Sequence, residues 1–189
     1  EKLQRWDRVA DTGSIGATLF FATYREAWEL ALKDDLSPDL YKLICTYPYV
    51  SGFLDRLWAD RPDSQFFDLK KSHGTTGRDA LLRLAFTWAV KNLGEVYGPD
   101  MTAWRWGALH TLTFGHAFGE RDELKGTFNV GPIPIPGAHN TVWEAGWVSW
   151  DAGYTFTVHH GPAFRHVIDL GDPGAGGMVV DLGQSGRPA

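Results

Sequence analysis

The stretch RWGALHTLTFGHAFG, residues 105–119, lies where the hydrophobic pattern of this 189-residue chain changes. Before it, apolar side chains recur every three or four residues, which is typical of helices. From Trp104 onward the pattern shortens toward a period of two, and glycine and proline become frequent, which is typical of strands and turns. Helices followed by strands predict a single α+β domain, helical over about residues 1–100 and β-rich over about residues 101–189.

Three helices are predicted in the first part of the chain, over residues 17–33, 38–48 and 50–62. Ser14 lies just before the first helix and can begin it. Pro38 suits the first position of the second helix. Pro48 and Pro62 end the second and third helices, since proline lacks the amide hydrogen that an inner turn needs.

The clearest helix is predicted over residues 78–97, and Gly98 and Pro99 end it. Asp79 follows Thr76 by three residues, so the two form a weak capping box. Apolar side chains form a broad stripe along this helix, and a similar face runs along the first helix. The stripe contains Leu81, Leu82, Ala85, Phe86, Ala89 and Leu93, and the face contains Phe20, Tyr24, Ala27, Trp28 and Ala31.

Strands are predicted over residues 109–115, 142–160, 163–171 and 177–183. Residues 130–137, VGPIPIPG, are expected to be stiff and extended, because prolines fix their backbone angles and donate no hydrogen bonds. The glycine-rich GDPGAGG segment precedes a strand rather than a helix with lysine, so it does not indicate a phosphate-binding loop.

Composition excludes several classes of function. The net charge of −5 and the lack of a basic run with interleaved aromatics argue against nucleic acid as a partner. The sequence contains no stretch of 18 apolar residues, so it does not predict a membrane span. Cys45 is the single cysteine, so an intrachain disulfide cannot form, and its apolar neighbours favour a buried thiol over a nucleophile.

His110 and His116 are the first candidates for chemistry. If both lie on one strand they face the same side, but at about 3.3 Å per residue they stand roughly 20 Å apart. One zinc ion cannot take both, since its bonds to nitrogen are only about 2.0–2.1 Å long. We therefore expect packed, hydrogen-bonded histidines with a structural role.

The segment HHGPAFRH carries the second group of candidates. His159 and His160 are adjacent, so on a strand they face opposite sides. Together with Arg165 and His166 they could bind a carboxylate, although a strand–turn–strand with polar outer residues is favoured. Ser185 in GQSGRP resembles a nucleophile elbow only loosely. The residues taken by themselves thus predict no catalytic, cofactor-binding or metal-binding site, and no cofactor.

Five segments in order resemble the C-terminal part of the β subunit in the penicillin acylase family. Arg8 stands where the family usually has glycine, and Ala163 stands where serine is common. The segments are LQRWDRVADTGSIGATLF (3–20), WRWGALHTLTFGHAFG (104–119), FNVGPIPIPGAHNTV (128–142), HHGPAFRHVIDLGD (159–172) and GQSGRP (183–188). These enzymes are N-terminal-nucleophile amidohydrolases that include penicillin, cephalosporin and acyl-homoserine-lactone acylases.

The resemblance implies part of a four-layer αββα sandwich and hydrolysis of an acyl amide, from a β-lactam side chain or another N-acyl amine. The family's nucleophile is a serine at the start of the β chain, with its own α-amino group as base. Glu1 has no hydroxyl, so residues 1–189 are expected to be an inactive fragment. The implied partners are the α subunit, the rest of the β subunit and the small-molecule substrate, in the periplasm or outside the cell. Oligomerisation of the fragment would be one way to cover its apolar surface.

Two other functions are compatible with the residues. One is a non-catalytic ligand-binding or interaction domain that uses an aromatic-lined β face. The other is a metal-dependent enzyme that uses His110, His116, His159 or His160, which the strand spacing disfavours. The family often carries calcium, but no oxygen-rich loop of the EF-hand type occurs here, and no metal is predicted.

Overall fold

The helical half is built around one central helix, α1, which spans Ile15–Leu32. A computed structural model describes residues 1–46, 51–69, 74–147, 153–161 and 164–180 of the chain. Ser14 begins α1 as predicted, because its hydroxyl accepts a hydrogen bond of 3.1 Å from the amide of Ala17. Trp28 on α1 is fully buried, whereas Phe20 is 40% exposed, so only part of the predicted apolar face lies in the core.

Helix α4, Arg78–Tyr97, packs along α1 and confirms the clearest helix prediction. Its N-cap is Gly77, at φ +83°, and no side chain caps it, so the predicted capping box of Thr76 and Asp79 is wrong. The helix begins one residue too late for Thr76 to act as its cap. The predicted apolar stripe is also narrower than expected, since Phe86 is 39% exposed. The stripe residues with no exposure are Leu81, Ala85, Ala89 and Leu93.

The shorter helices α2 and α3 span Pro38–Thr46 and Ser51–Asp60. Helix α2 begins at Pro38, as predicted, and its Cys45 is 1% exposed, which confirms the buried thiol. The predicted end near Pro48 lies outside the described residues. Strands β1, Asp68–Leu69, and β2, Thr75–Thr76, then form a small antiparallel pair before α4.

A four-stranded mixed sheet lies at the centre of the second half. Its strands are β3, Thr111–Phe114, β4, Val130–Pro134, β5, Gly146–Trp147, and β6, Val158–His160. They lie in the order β4-β3-β6-β5. Strand β3 pairs antiparallel with β4 and parallel with β6, and β5 pairs antiparallel with β6. The proline-rich strand β4 is at the edge, where a missing amide hydrogen costs no ladder bond.

Two of the strand predictions need correction. The strand expected over 109–115 begins only at Thr111, because the residues Trp106–Leu109 form a helical turn, α5, that ends at His110. The strand region expected over 142–160 is interrupted. Its described residues form only β5 and β6, and residues 148–152 lie outside the description.

The remaining elements are a short helix, α6, at Lys125–Phe128 and an antiparallel pair of β7, Phe164–Val167, with β8, Gly177–Val180. This pair confirms the strands expected near 163–171 and 177–183, up to residue 180. The α+β class is therefore confirmed, with helices before β3 and the larger sheet after α4. The layered αββα sandwich stays a prediction. Among the described residues, no helix is long and apolar enough to cross a membrane.

Trp106 joins the two halves of the core. It is fully buried, and its ring lies 4.8 Å from that of Phe21 on α1 and 5.2 Å from that of Phe156, which precedes β6. Its indole nitrogen donates a hydrogen bond of 2.9 Å to the carbonyl of Gly137. A buried tryptophan with its polar atom satisfied in this way fixes the position of α5 and hence of the sheet.

Candidate functional site

His110 is a core residue. Its side chain is fully buried and stacks on the ring of Trp106 at 4.5 Å. Its Nδ1 lies 2.6 Å from the carbonyl of Ile135, and its Nε2 lies 3.0 Å from the carbonyl of Ala145. Burial lowers the pKa of His110 below its ordinary value, and the two carbonyls oppose that shift only in part. The expected structural role is confirmed.

His116 caps a 3₁₀ turn, Ala117–Glu120, rather than lining a strand. Its Nδ1 accepts a hydrogen bond of 3.1 Å from the amide of Phe118, and its ring stacks on Phe128 at 5.2 Å. His110 precedes β3 and His116 follows it, so the two histidines do not share one strand. Both side chains nevertheless hold local structure, as expected.

The fold brings together only part of the second group of candidate residues, which are His159, His160, Arg165 and His166. His159 is exposed on β6, and His160, next to it, has its Nε2 3.8 Å from Oε1 of Glu144. The backbones of Arg165 and His166 pair with β8, and the side chain of Arg165 is outside the described residues. The carboxylate site imagined for this group therefore stays a prediction. Ser185 also lies outside the described residues.

His160 lies near two residues that were not predicted as site residues, Glu144 and His139. The carboxylate of Glu144 lies 3.5 Å from Nδ1 of His139 and 3.8 Å from Nε2 of His160. One nitrogen or oxygen from each residue lies within 4.8 Å of the other two, which is a spacing that could hold a metal ion. We call these three residues the His139 cluster.

The fold assembles the His139 cluster from two short pairings. A bridge between Ala138 and Glu144 closes the loop that carries His139, and the pairing of β5 with β6 places Gly146 opposite His160. The spacing of His139, Glu144 and His160 along the sequence matches no recognised ligand motif. The one sequence signal that could have drawn attention to His139 is its position inside the family-like segment 128–142.

The electrostatics of the cluster differ from one residue to the next. Burial lowers the pKa of His139, while the carboxylate of Glu144 and the carbonyl of Trp147 oppose that shift. The side chain of His139 is only 5% exposed, whereas those of Glu144 and His160 are 29% and 52% exposed. The cluster therefore has one buried wall and one side that is open to solvent.

A large apolar groove borders the cluster. Its volume is about 840 Å³, and both His139 and the aromatic side chains of α1 line it. Four of its wall residues are unusually exposed for apolar side chains, namely Val9 at 56%, Phe20 at 40%, Val142 at 108% and Trp143 at 45%. An exposed apolar surface of this kind marks a place where another molecule or another part of a protein binds.

Comparison with known proteins identifies the family of this chain. Residues 1–189 match the Penicillin amidase family. The relatives include acyl-homoserine lactone acylases named QuiP, from Pseudomonas aeruginosa at 28% identity and Pseudomonas syringae pv. syringae at 31% identity. Both alignments cover 100% of this chain but only 24% and 23% of the relatives, so the chain spans about a quarter of their length. No solved structure matches the chain. The chain therefore belongs to the penicillin amidase family.

Proposed function

We propose that residues 1–189 are the C-terminal scaffold of an acylase that hydrolyses an acyl amide with a serine nucleophile located elsewhere in the protein. The observation that carries this proposal is the family match over the whole chain. The names of the relatives favour an N-acyl-homoserine lactone, an acyl amide, as the substrate class. In this reaction the serine oxygen attacks the amide carbon, the amine leaves with a proton, and water then releases the acid.

The roles of the described candidates support a nucleophile outside this segment. His110 is held by two backbone carbonyls in the core, His116 caps a turn, and Cys45 is buried in α2. A catalytic nucleophile needs access to substrate and a base within hydrogen-bond reach. These three side chains instead stabilise the local fold.

The apolar groove supports the proposal that the rest of the acylase is the partner of this segment. Val142 and Trp143 project from a loop at one wall of the groove, and Phe20 lies on the other wall, on α1. Covering such side chains is favourable by about 25 cal/mol for each Å² of apolar surface removed from water. We propose that other parts of the same enzyme cover them.

A non-catalytic binding domain is the alternative function, and the same groove favours it. An apolar volume of about 840 Å³ is large enough for an acyl or aromatic ligand. The two functions differ in what must precede Glu1 in the gene. A serine preceded by glycine, several hundred codons upstream in the same reading frame, supports the acylase, whereas a start codon close to Glu1 contradicts it.

Dye binding tests the proposed partner surface. The 189-residue chain is expected to bind an apolar fluorescent dye, and Trp143→Ser is expected to reduce the signal, because Trp143 forms part of the exposed groove. In the longer protein the dye signal at this site should be absent. A 189-residue monomer that binds no dye would contradict the proposed covering of the groove by other parts of the enzyme.

A further inference from the structure

We propose that the His139 cluster is a binding site for a divalent transition-metal ion, with Zn²⁺ the best match among the common ones. This site lies apart from the proposed amide hydrolysis, which uses a serine and no metal. Two imidazoles and one carboxylate are a ligand set that Zn²⁺ takes in proteins. The proposal rests on the orientation of His139, on the spacing of the ligand atoms and on the way the surrounding backbone supports them.

The orientation of His139 places its Nδ1 toward Glu144. Nε2 of His139 lies 2.8 Å from the carbonyl of Trp147 and 3.1 Å from the amide nitrogen of the same residue. A protonated Nε2 donates to this carbonyl and an unprotonated Nε2 accepts from this amide, so a metal ion bound at Nδ1 would select the first form. Nδ1 is then unprotonated, and it faces a carboxylate oxygen that is also an electron-pair donor. A histidine fixed by a backbone carbonyl through one nitrogen is the usual arrangement of a metal ligand.

The three ligand atoms lie at separations that a shared metal ion could bridge. The separations of 3.5 Å and 3.8 Å from the Glu144 oxygen exceed the usual hydrogen-bond range of about 2.7–3.2 Å. Ligand atoms around a tetrahedral zinc ion, each about 2.0–2.1 Å from it, stand about 3.3 Å apart. The third separation is also short, since the ligand atoms of all three residues lie within 4.8 Å of one another.

The backbone around the cluster supports the carboxylate and leaves room for both rings. Oε2 of Glu144 accepts a hydrogen bond of 2.7 Å from the amide of Asn140, which leaves Oε1 directed at the two histidines. Asn140 has φ +57°, a conformation that asparagine adopts more readily than most residues. At Gly146, a Cβ atom would lie 2.7 Å from Nδ1 of His139 and 2.8 Å from Nδ1 of His160. Glycine therefore allows the two rings to approach.

The exposure of the three side chains gives an ion access to the cluster, because His139 is buried whereas Glu144 and His160 are partly exposed. The open side of the cluster, at Glu144 and His160, lets an ion enter from solvent. A bound ion would neutralise the carboxylate and join the 138–144 loop to β6.

Zinc binding by the metal-free 189-residue chain at pH 7.5 tests the proposal. We expect one equivalent of Zn²⁺ in calorimetry or in competition with a chromogenic chelator, and visible absorption bands with Co²⁺ that report its coordination geometry. His160→Asn and Glu144→Gln each remove a ligand from a partly exposed position, so the chain should still fold. Each should weaken binding by more than about 100-fold, beyond the loss that follows removal of an outer-shell partner.

His159→Asn is the matched control, because His159 is the exposed neighbour of His160 on the same strand. It should bind zinc as the unchanged chain does. Zinc should also raise the unfolding midpoint of the unchanged chain and of His159→Asn, but not that of His160→Asn. Absence of stoichiometric zinc binding, or equal binding by His160→Asn and His159→Asn, would overturn the proposal. Neither result bears on the amide hydrolysis proposed above.

Discussion

The hydroxyl of Tyr154 donates a hydrogen bond to the carboxylate of Glu26, a residue that lies 128 positions earlier in the chain. Glu26 is on α1 and is 2% exposed, and it also pairs with Arg25 at 2.8 Å. Asn92 on α4 donates to both oxygens, at 3.3 Å to Glu26 and 2.9 Å to Tyr154. Burial raises the pKa of Tyr154, so the phenol keeps its proton. This network ties the helical half to the segment that leads into β6.

Replacing Tyr154 with phenylalanine should reveal the strength of that link. The change leaves the buried carboxylate of Glu26 without one of its donors, so the free energy of unfolding should fall by about 1.5–3 kcal/mol. Urea denaturation followed by tryptophan fluorescence measures it.

Tyr24→Phe is the matched control, because the hydroxyl of Tyr24 donates to an exposed carboxylate, that of Asp55, at 2.8 Å. Water can replace that bond, so the cost should be about 1 kcal/mol or less. Equal costs for the two variants would mean that the buried link between Tyr154 and Glu26 adds no more to stability than an exposed hydrogen bond does.

Gly146→Ala should destabilise the chain by about 1–3 kcal/mol, because its new methyl group would lie 2.5 Å from Cε1 of His139 and must push the ring aside. The same change should weaken zinc binding. Gly115→Ala is a suitable control, since nothing lies within 4 Å of its Cβ position. Thermal unfolding of both variants measures the difference. A Gly146→Ala variant as stable as Gly115→Ala would show that the rings adjust without cost.

Stability should fall as the pH is lowered below about 6.5. The pKa of His110 in the folded chain lies below its ordinary value of 6.5, so the unfolded chain takes up the proton first. The full contribution of His110 is therefore present above pH 6.5 and is lost as the pH falls through the folded pKa. His139 has a pKa lowered in the same direction and adds to the effect. Urea midpoints at pH 7.5 and pH 5.5, with a chelator present, measure the loss.

His110→Asn isolates one part of this pH dependence. Its side-chain amide can still donate to the carbonyl of Ile135 but does not titrate. The variant should lose less stability between pH 7.5 and pH 5.5 than the unchanged chain, even if it is less stable at both. An identical loss would assign the pH dependence to other groups.

Much of the fold could be predicted from local pattern. The helix predictions at 17–33, 38–48, 50–62 and 78–97 each overlap a helix of the structure, because apolar spacing and prolines act locally. The start of the β-rich part, expected from Trp104 onward, could not be located in this way, since the first strand of the larger sheet begins at Thr111. Trp106 belongs to a strand-like stretch in sequence, but its burial against Phe21 and Phe156 favours one turn of helix there.

The sequence pattern predicts the roles of some histidines but not of others. His110 and His116 were expected to be structural, and their partners confirm it. The His139 cluster could not be found, because its members come from a loop and from a strand whose pairing is set by tertiary contacts. Spacing along one strand can exclude a metal site, but it cannot reveal one that two separate segments build.

Amide hydrolysis by residues 1–189, compared with hydrolysis by the whole protein encoded in the same reading frame, is the most direct test of the proposed scaffold role. Release of the free amine from an N-acyl-homoserine lactone is measured at equal molar concentrations, and circular dichroism verifies that the shorter chain is folded. We predict release by the whole protein and none above buffer by residues 1–189. Turnover by the folded 189-residue chain alone would contradict the proposal that the nucleophile lies elsewhere.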